Sequence, residues 1–427
     1  MSTPRPDHTS STAIKPADVY HKIFAAEHVL DDPYPLLRRL IEAGPVHQVG
    51  SGQWIAVSYD ACVEVLRDPR FHIDAEAAGR ARGGANWRDH PSLRLLNATL
   101  LVANPPGHSR MRRAVAAAFG PERVRAMGAL IAQATDRLLD ELQTDQPADM
   151  ISGFADRLPV AVISPILGIE QWPSGDFRTQ TMRFNLILER ELTEANLADA
   201  DASAIEIIQC IHALVAERRL SRHEDLISHL MDASAAGVLD EEEVAPLVFQ
   251  IFNASYQTTA SLLGNALLSL LREPGRLGEL RGDAGRVART VQEVLRTDPP
   301  VQSTGRHASR RLEFFGQRIE KGDLVISVLA AGNRDPRRFS HPDIFDINRA
   351  SPPVLSFGWG IHHCLGARLA ALEAEIALER MADRFPRMRP AGPPRRWPTA
   401  NMRAFASFPV SLDAETRRDQ GPRQTTL

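Results

Sequence analysis

The sequence predicts a mainly α-helical fold with a small β portion, and three observations carry that prediction. Long stretches place apolar residues at three- and four-residue intervals, the period of a helix with one buried face. Strand-like runs are few and short. Those runs cluster near the two ends of the chain, so a cut anywhere in the middle would separate strand partners. A chain of 427 residues with 43% hydrophobic content can bury one large core, and no repeat or linker divides it. The expectation is a single large domain.

Taken in order, MSTPRPDHTSSTAIKPAD is polar and lacks the apolar core of a secretion signal. Residues 1–20 are therefore expected to form a flexible segment, with the domain proper spanning 21–412. PVHQVG and QWIAVS alternate as short strands do. RMRRAVAAAFGPERVRAMGALIAQATDRLLDEL is helical in texture, and DASAIEIIQCIHALVAERRL follows the same period. The longest such run is EEEVAPLVFQIFNASYQTTASLLGNALLSLLREP. LVISVL reads as a strand, GARLAALEAEIALERMADRF as a helix and FPVSL as a last short strand. The tail DAETRRDQGPRQTTL, residues 413–427, is polar and expected to fray. No run reaches the length needed to cross a membrane, so no membrane partner and a cytoplasmic location are expected. The formal charge of −3 gives no massed positive field for nucleic acid.

Function enters at FGWGIHHCLG, residues 357–366. Only three cysteines occur in the chain, Cys62, Cys210 and Cys364, too far apart for a disulfide framework or a structural zinc site. Gly358 and Gly360 allow a tight loop and a close backbone approach to something flat or bulky. The helix that starts after Cys364 lowers the cost of a thiolate there. Cys364 is thus either an ordinary buried thiol or a lone metal ligand. The string fits FxxGxxxCxG, from Phe357 through Cys364 to Gly366, and in this it resembles the loop by which the cytochrome P-450 family presents an axial thiolate to haem iron. His362 stands where that family keeps a basic residue.

Further segments resemble the same family in the same order, and the likeness spans nearly the whole chain. Glu293 and Arg296 of EVLR look like its ExxR pair, with Arg334 or Arg349 of NRDPRRFSHPDIFDINR as third member. His108 and Arg112 of NPPGHSRMRRAV lie one turn apart, and Arg306 of RHAS sits where another propionate-binding arginine is expected. The resemblance implies the cytochrome P-450 fold and haem b as cofactor. It implies Cys364 as iron ligand and His108, Arg112, Arg306, His362 and Phe357 around the haem. The chemistry implied is dioxygen activation, in which the thiolate favours cleavage of the oxygen–oxygen bond.

The distal helix departs from the family pattern. In ASYQTT, Thr258 keeps the expected hydroxyl, but Gln257 occupies the place of an acid and its amide does not titrate near neutral pH. Two outcomes follow: hydroxylation with protons from water, or radical coupling of aromatic substrates such as tryptophan-containing cyclic dipeptides. In the second case Asn253, Ser255, Tyr256 and Gln257 would hydrogen-bond substrate amides. The pocket is expected to be lined by Phe249, Phe252, Phe405 and Leu186, with Gln302, Ser303 and Asn185 as polar readers and residues 75–90 as a lid. The expected partners are a small apolar or aromatic substrate, dioxygen, and an external ferredoxin with its reductase, docking near Arg110, Arg113 and Arg368. A monomer is expected. A non-catalytic haem sensor and a peroxide-using relative are the alternatives.

Overall fold

The computed structural model describes residues 15–25, 31–143, 145–169, 177–189, 192–349 and 353–412. In its first part, α1 (Pro16–Ala25) and α2 (Tyr34–Ala43) precede strands β1 (Val46–Gly50) and β2 (Gln53–Ala56). Then come α3 (Tyr59–Arg67), β3 (Phe71–His72), α4 (Ala75–Gly83) and α5 (Gly107–Ala116). The middle is helical and includes α6 (Phe177–Asn185), α7 (Glu194–Leu220) and α8 (Glu241–Leu271). The last part holds α9 (Ala284–Thr297), β4 (Thr304–Ala308), β5 (Leu324–Ser327) and α10 (Ala367–Arg384).

The expected helical mass is present, and α8 is its axis. A helix that is apolar nearly all round must be buried, and α8 buries Val248, Phe249, Phe252, Leu262, Leu263 and Leu267 in one core with α10, α9 and α7. The α7 helix turns Ala200, Ala204, Ile207, Ile211 and Leu214 into that core at three- and four-residue steps. The predicted helix over 110–142 is interrupted. Gly120 is extended and Pro121 opens a new helix, so the run divides at that pair, as a proline that cannot donate its N–H requires.

The predicted strands near the two ends do meet. A five-stranded sheet has the order β1-β2-β5-β4-β3. The β2 and β5 strands run parallel with Trp54 opposite Val325, while β4 lies antiparallel to β5 with Arg306 opposite Val325. The β3 strand adds to the edge with His72 opposite His307. Segments from the two ends of the chain are thereby neighbours, which makes a single interleaved unit.

The boundary expected after residue 20 needs correction. The α1 helix starts at Pro16 and buries Val19, Tyr20 and Ile23 in a cluster with Leu37, Leu40 and Ile55. Its apolar residues fall on one helical face, so the packed body extends at least to residue 16. The tail 413–427 and residues 1–14 lie outside the described residues. No helix among the described residues is long and apolar enough to cross a membrane.

Candidate active site

The loop that carries Cys364 is held from three sides. Its own backbone closes two turns, with the Gly358 amide on Leu355 O at 2.7 Å and the Cys364 amide on Phe357 O at 2.8 Å. Gly358 and Gly360 take φ of 69° and 71°, the left-handed region that glycine enters without steric cost. At Gly360 the requirement is also spatial, because a Cβ would stand 2.3 Å from Leu66 O at the end of α3. The second support is Asn333, fully buried, which accepts from the Leu355 amide at 2.7 Å and donates to Ser356 Oγ at 2.8 Å. Sequence reasoning assigned Asn333 no role, since nothing in its neighbourhood reveals a partner 22 residues away.

The third support is the buried pair Glu293–Arg296. Arg296 Nε and Nη2 donate to the Glu293 carboxylate at 2.8 and 2.7 Å. Nη1 reaches Asn333 O and Pro342 O, and Nη2 also reaches Ile344 O, at 2.7–3.1 Å. All five N–H groups of the guanidinium thus have acceptors. Of the two arginines expected to complete this network, Arg349 does so, at 3.3 Å from Glu293. Arg334 turns instead to Thr297 O and Asp343 and lies 3.6 Å over the Tyr34 ring.

Around the cysteine stands a cluster of bases with no acid. His108 on α5 is 2% exposed, and among the described residues neither of its ring nitrogens has a hydrogen-bond partner. Its ring meets that of His362 edge to face at 4.4 Å. Arg112 donates to His363 O at 2.8 Å, and among the described residues Arg306 on β4 donates only to Gly305 O and Thr304 Oγ1, at 2.7 and 3.2 Å. Burial, then Arg306, His108 and Arg112, push His362 down to about 3; burial pushes Arg306 down to about 10. The two histidines are neutral donors and the two arginines are charges awaiting an anion. Cys364 is accessible yet closely surrounded, and burial pushes its thiol up against the opposing pull of the Gly366 amide and Arg112.

These residues fit haem. Its iron would take the Cys364 thiolate, and its carboxylates would satisfy His108, Arg112, Arg306 and His362. Residues 160–394, more than half of the chain, match the family model described as Cytochrome P450. The chain belongs to the cytochrome P450 family. Cytochrome P450 107B1 of Saccharopolyspora erythraea is 36% identical over 372 residues, 84% of this chain and 89% of that one. Cytochrome P450 monooxygenase PikC of Streptomyces venezuelae is 34% identical over 83% of this chain and 84% of its own. Among solved structures, ligand-free CYP164A2 of Mycobacterium smegmatis superposes with a TM-score of 0.84 at 30% identity, covering 93% of this chain and 100% of that one. The P450 is accordingly an enzyme of the monooxygenase family with a haem-thiolate cofactor.

On the distal side of this P450, α8 presents Ala254 and Thr258, four residues apart and both accessible on a helix otherwise largely buried. Thr258 Oγ1 donates to Ala254 O at 2.7 Å, so its hydroxyl is held within the helix groove. Gln257 points elsewhere. It is 5% exposed, accepts from Asn185 Nδ2 at 2.5 Å, and donates to Met182 Sδ at 3.1 Å. Asn253 Nδ2 donates to Asn185 Oδ1 at 3.0 Å. A run of side-chain amides therefore binds α6 to α8 where the family pattern has an acid. Gln257, expected to hydrogen-bond substrate amides, spends its own amide on packing two helices together.

The expected pocket walls are also redistributed. Tyr256 Oη donates to Asp156 at 3.2 Å and lines a cleft of about 850 Å³ that includes neither Cys364 nor Thr258. Ser255 bonds back to Ile251 O at 2.7 Å. Phe249, Phe252 and Phe405 are core residues, 1–4% exposed, as aromatic residues at helical spacing usually are. Gln302 donates to Pro299 O and Ser303 to Asn401 Oδ1, at 2.6 and 2.8 Å. Leu186 remains half-buried beside α6. On the proximal surface Arg113 and Arg368 are exposed. Arg110 is not available there, because both its Nη groups bind the Glu243 carboxylate at the start of α8.

Proposed function

We propose that this P450 is a monooxygenase of bacterial secondary metabolism that hydroxylates a small, largely apolar natural product. The observation that carries the reading is the accessible Ala254–Thr258 face of α8, which presents the hydroxyl of Thr258 while Gln257 is turned away. When bound, haem would supply the iron on which dioxygen is activated, with the Cys364 thiolate as its electron-rich ligand. The chain's own contribution is to hold the cofactor by its acid-free base cluster and to offer a proton at Thr258 Oγ1. Electrons come from an external ferredoxin and its reductase. The exposed Arg113 and Arg368 support docking of an acidic carrier behind the thiolate. The names of PikC and of the polyketide-biosynthesis P450 of Bacillus subtilis, 31% identical over 89% of this chain, support a biosynthetic setting.

Coupling of cyclic dipeptides is the second reading. The four residues expected to read substrate amides are bonded within the protein, although Asn253 Oδ1 is buried with no partner among the described residues. The test is turnover under ¹⁸O₂ with a surrogate ferredoxin and reductase, on a macrolide, a terpene, a phenol and a tryptophan-containing cyclic dipeptide. One labelled oxygen in the product supports hydroxylation. A product that has only lost hydrogen, or a dimer without label, overturns it in favour of coupling.

A further inference from the structure

Arg82 is not among the residues that fit haem, and it ties two elements of the distal half together. It lies in the last turn of α4, and its Nε donates to Ile187 O at 2.8 Å, just beyond α6. The α6 helix is the one whose Asn185 is bonded to Gln257, next to Thr258. At its other end α4 begins beside β4: the Asp74 amide donates to His307 Nδ1 at 3.3 Å, and His307 adjoins Arg306. Arg82 thus ties α4, whose first residues meet β4, to the segment just beyond α6.

The guanidinium has no counter-charge among the described residues. Its bonds go to two carbonyls, Ile187 O and, from Nη1, Ala78 O at 3.2 Å; Nη2 has no hydrogen bond to a described residue. Burial pushes Arg82 down and no carboxylate opposes it. The nearby acids are committed. Asp74 accepts from the Ala77 amide as the cap of α4, Glu76 pairs with Arg80 and Arg88, and Glu189 accepts from the Ala400 and Asn401 amides. The other polar neighbours add no negative charge. His307 is pushed down by burial, with Asp74 opposing and His72 and Arg82 reinforcing, and the His72 Nδ1 is buried without a partner. Arginine does not shed its proton when buried, so Arg82 is a persistent, half-enclosed cation with donors to spare.

We propose that Arg82 anchors a carboxylate of the substrate, so that this P450 acts on an apolar molecule with an acidic end. The inference deepens the monooxygenase reading and rests on it only in calling the ligand a substrate. A carboxylate takes two N–H donors of one guanidinium in a planar pairing, and charge assistance strengthens both bonds.

The experiment is an optical titration of the haem-loaded protein with two matched pairs: dodecanoic acid with its methyl ester, and indole-3-propanoic acid with its methyl ester. In the native protein at least one acid should bind about tenfold more tightly than its ester. In R82Q the acid should weaken by about that factor while the ester is unchanged, and R82K should keep part of the preference. If neither acid outbinds its ester, or if the preference survives in R82Q, the proposal falls. Equal weakening of acid and ester in R82Q also overturns it, because Arg82 would then only tie α4 to Ile187. The readout is binding, so a protein that hydroxylates nothing in the panel still decides the question.

Discussion

Gln257 and Thr258 are adjacent in sequence and opposite in circumstance. Thr258 is accessible and its hydroxyl needs only a rotation about χ1 to leave Ala254 O; Gln257 is buried in a chain of amides that ends on Met182. The two positions should therefore fail differently. T258A is expected to lower product formed per electron pair by about tenfold, with the loss appearing as peroxide, because a positioned proton donor contributes at least that much. Q257L should change that ratio by less than about twofold. It should lower the urea midpoint by an amount worth ~1 kcal/mol, since Asn185 loses its acceptor. Measuring peroxide and product in both variants decides the matter, and uncoupling in Q257L equal to that in T258A would place Gln257 among the groups that orient the proton donor. At this scale the sequence was legible where chemistry depends on short spacing: Cys364 with His362, and His108 with Arg112. It was illegible where a role is set by a partner from a remote element, as for Gln257 with Asn185, 72 residues apart.

Elements meet most tightly at α9, where Arg296 is fully buried and binds one carboxylate and three carbonyls. The carbonyls belong to the segment 333–344, which in turn holds the cysteine loop through Asn333. Lysine offers three donors from a single point and has no planar fork, so R296K would leave at least two of these acceptors without a donor in a buried site. The expected loss is ~3 kcal/mol or more. It should be read as a lower urea midpoint together with faster release of haem, since the loop and the helix share the network. A variant that keeps its haem and its midpoint would show that the pair is dispensable. The long helices around this junction were visible in advance because their apolar stripes recur over many turns. The sheet was not fully visible: Phe71–His72 and Thr304–Ala308 carry too little alternation to announce a strand, and they become one by pairing across the chain. Gly360 belongs with them, since its need for a bare Cα comes from Leu66 O on another element.

For the whole molecule, the two ends of the chain are fastened at one carboxylate. Asp298, just past α9, accepts from Tyr34 of α2, from Arg403, and from Arg396 at 3.1 Å, while its own carbonyl accepts from Asn265 of α8. Burial alone would raise this group, but Arg403, Arg396 and the Tyr34 hydroxyl outweigh it and hold Asp298 down at about 2. The folded carboxyl is therefore more acidic than the unfolded one, whose value is about 3.9. The native state prefers the anion, so this stabilisation is full above about pH 4 and is lost as the pH falls toward 2. The difference in acidity between the folded and unfolded carboxyl is worth ~2–3 kcal/mol. D298N should lose ~3 kcal/mol at pH 7, because Arg396 and Arg403 are left buried without their anion. Its stability should then fall less than the native protein's between pH 4 and pH 2.5. Urea midpoints of both proteins at pH 7, 4, 3 and 2.5 test this. Parallel acid limbs would mean that other carboxylates govern the acid transition, and an unchanged midpoint at pH 7 would show that the termini are held by their apolar contacts alone.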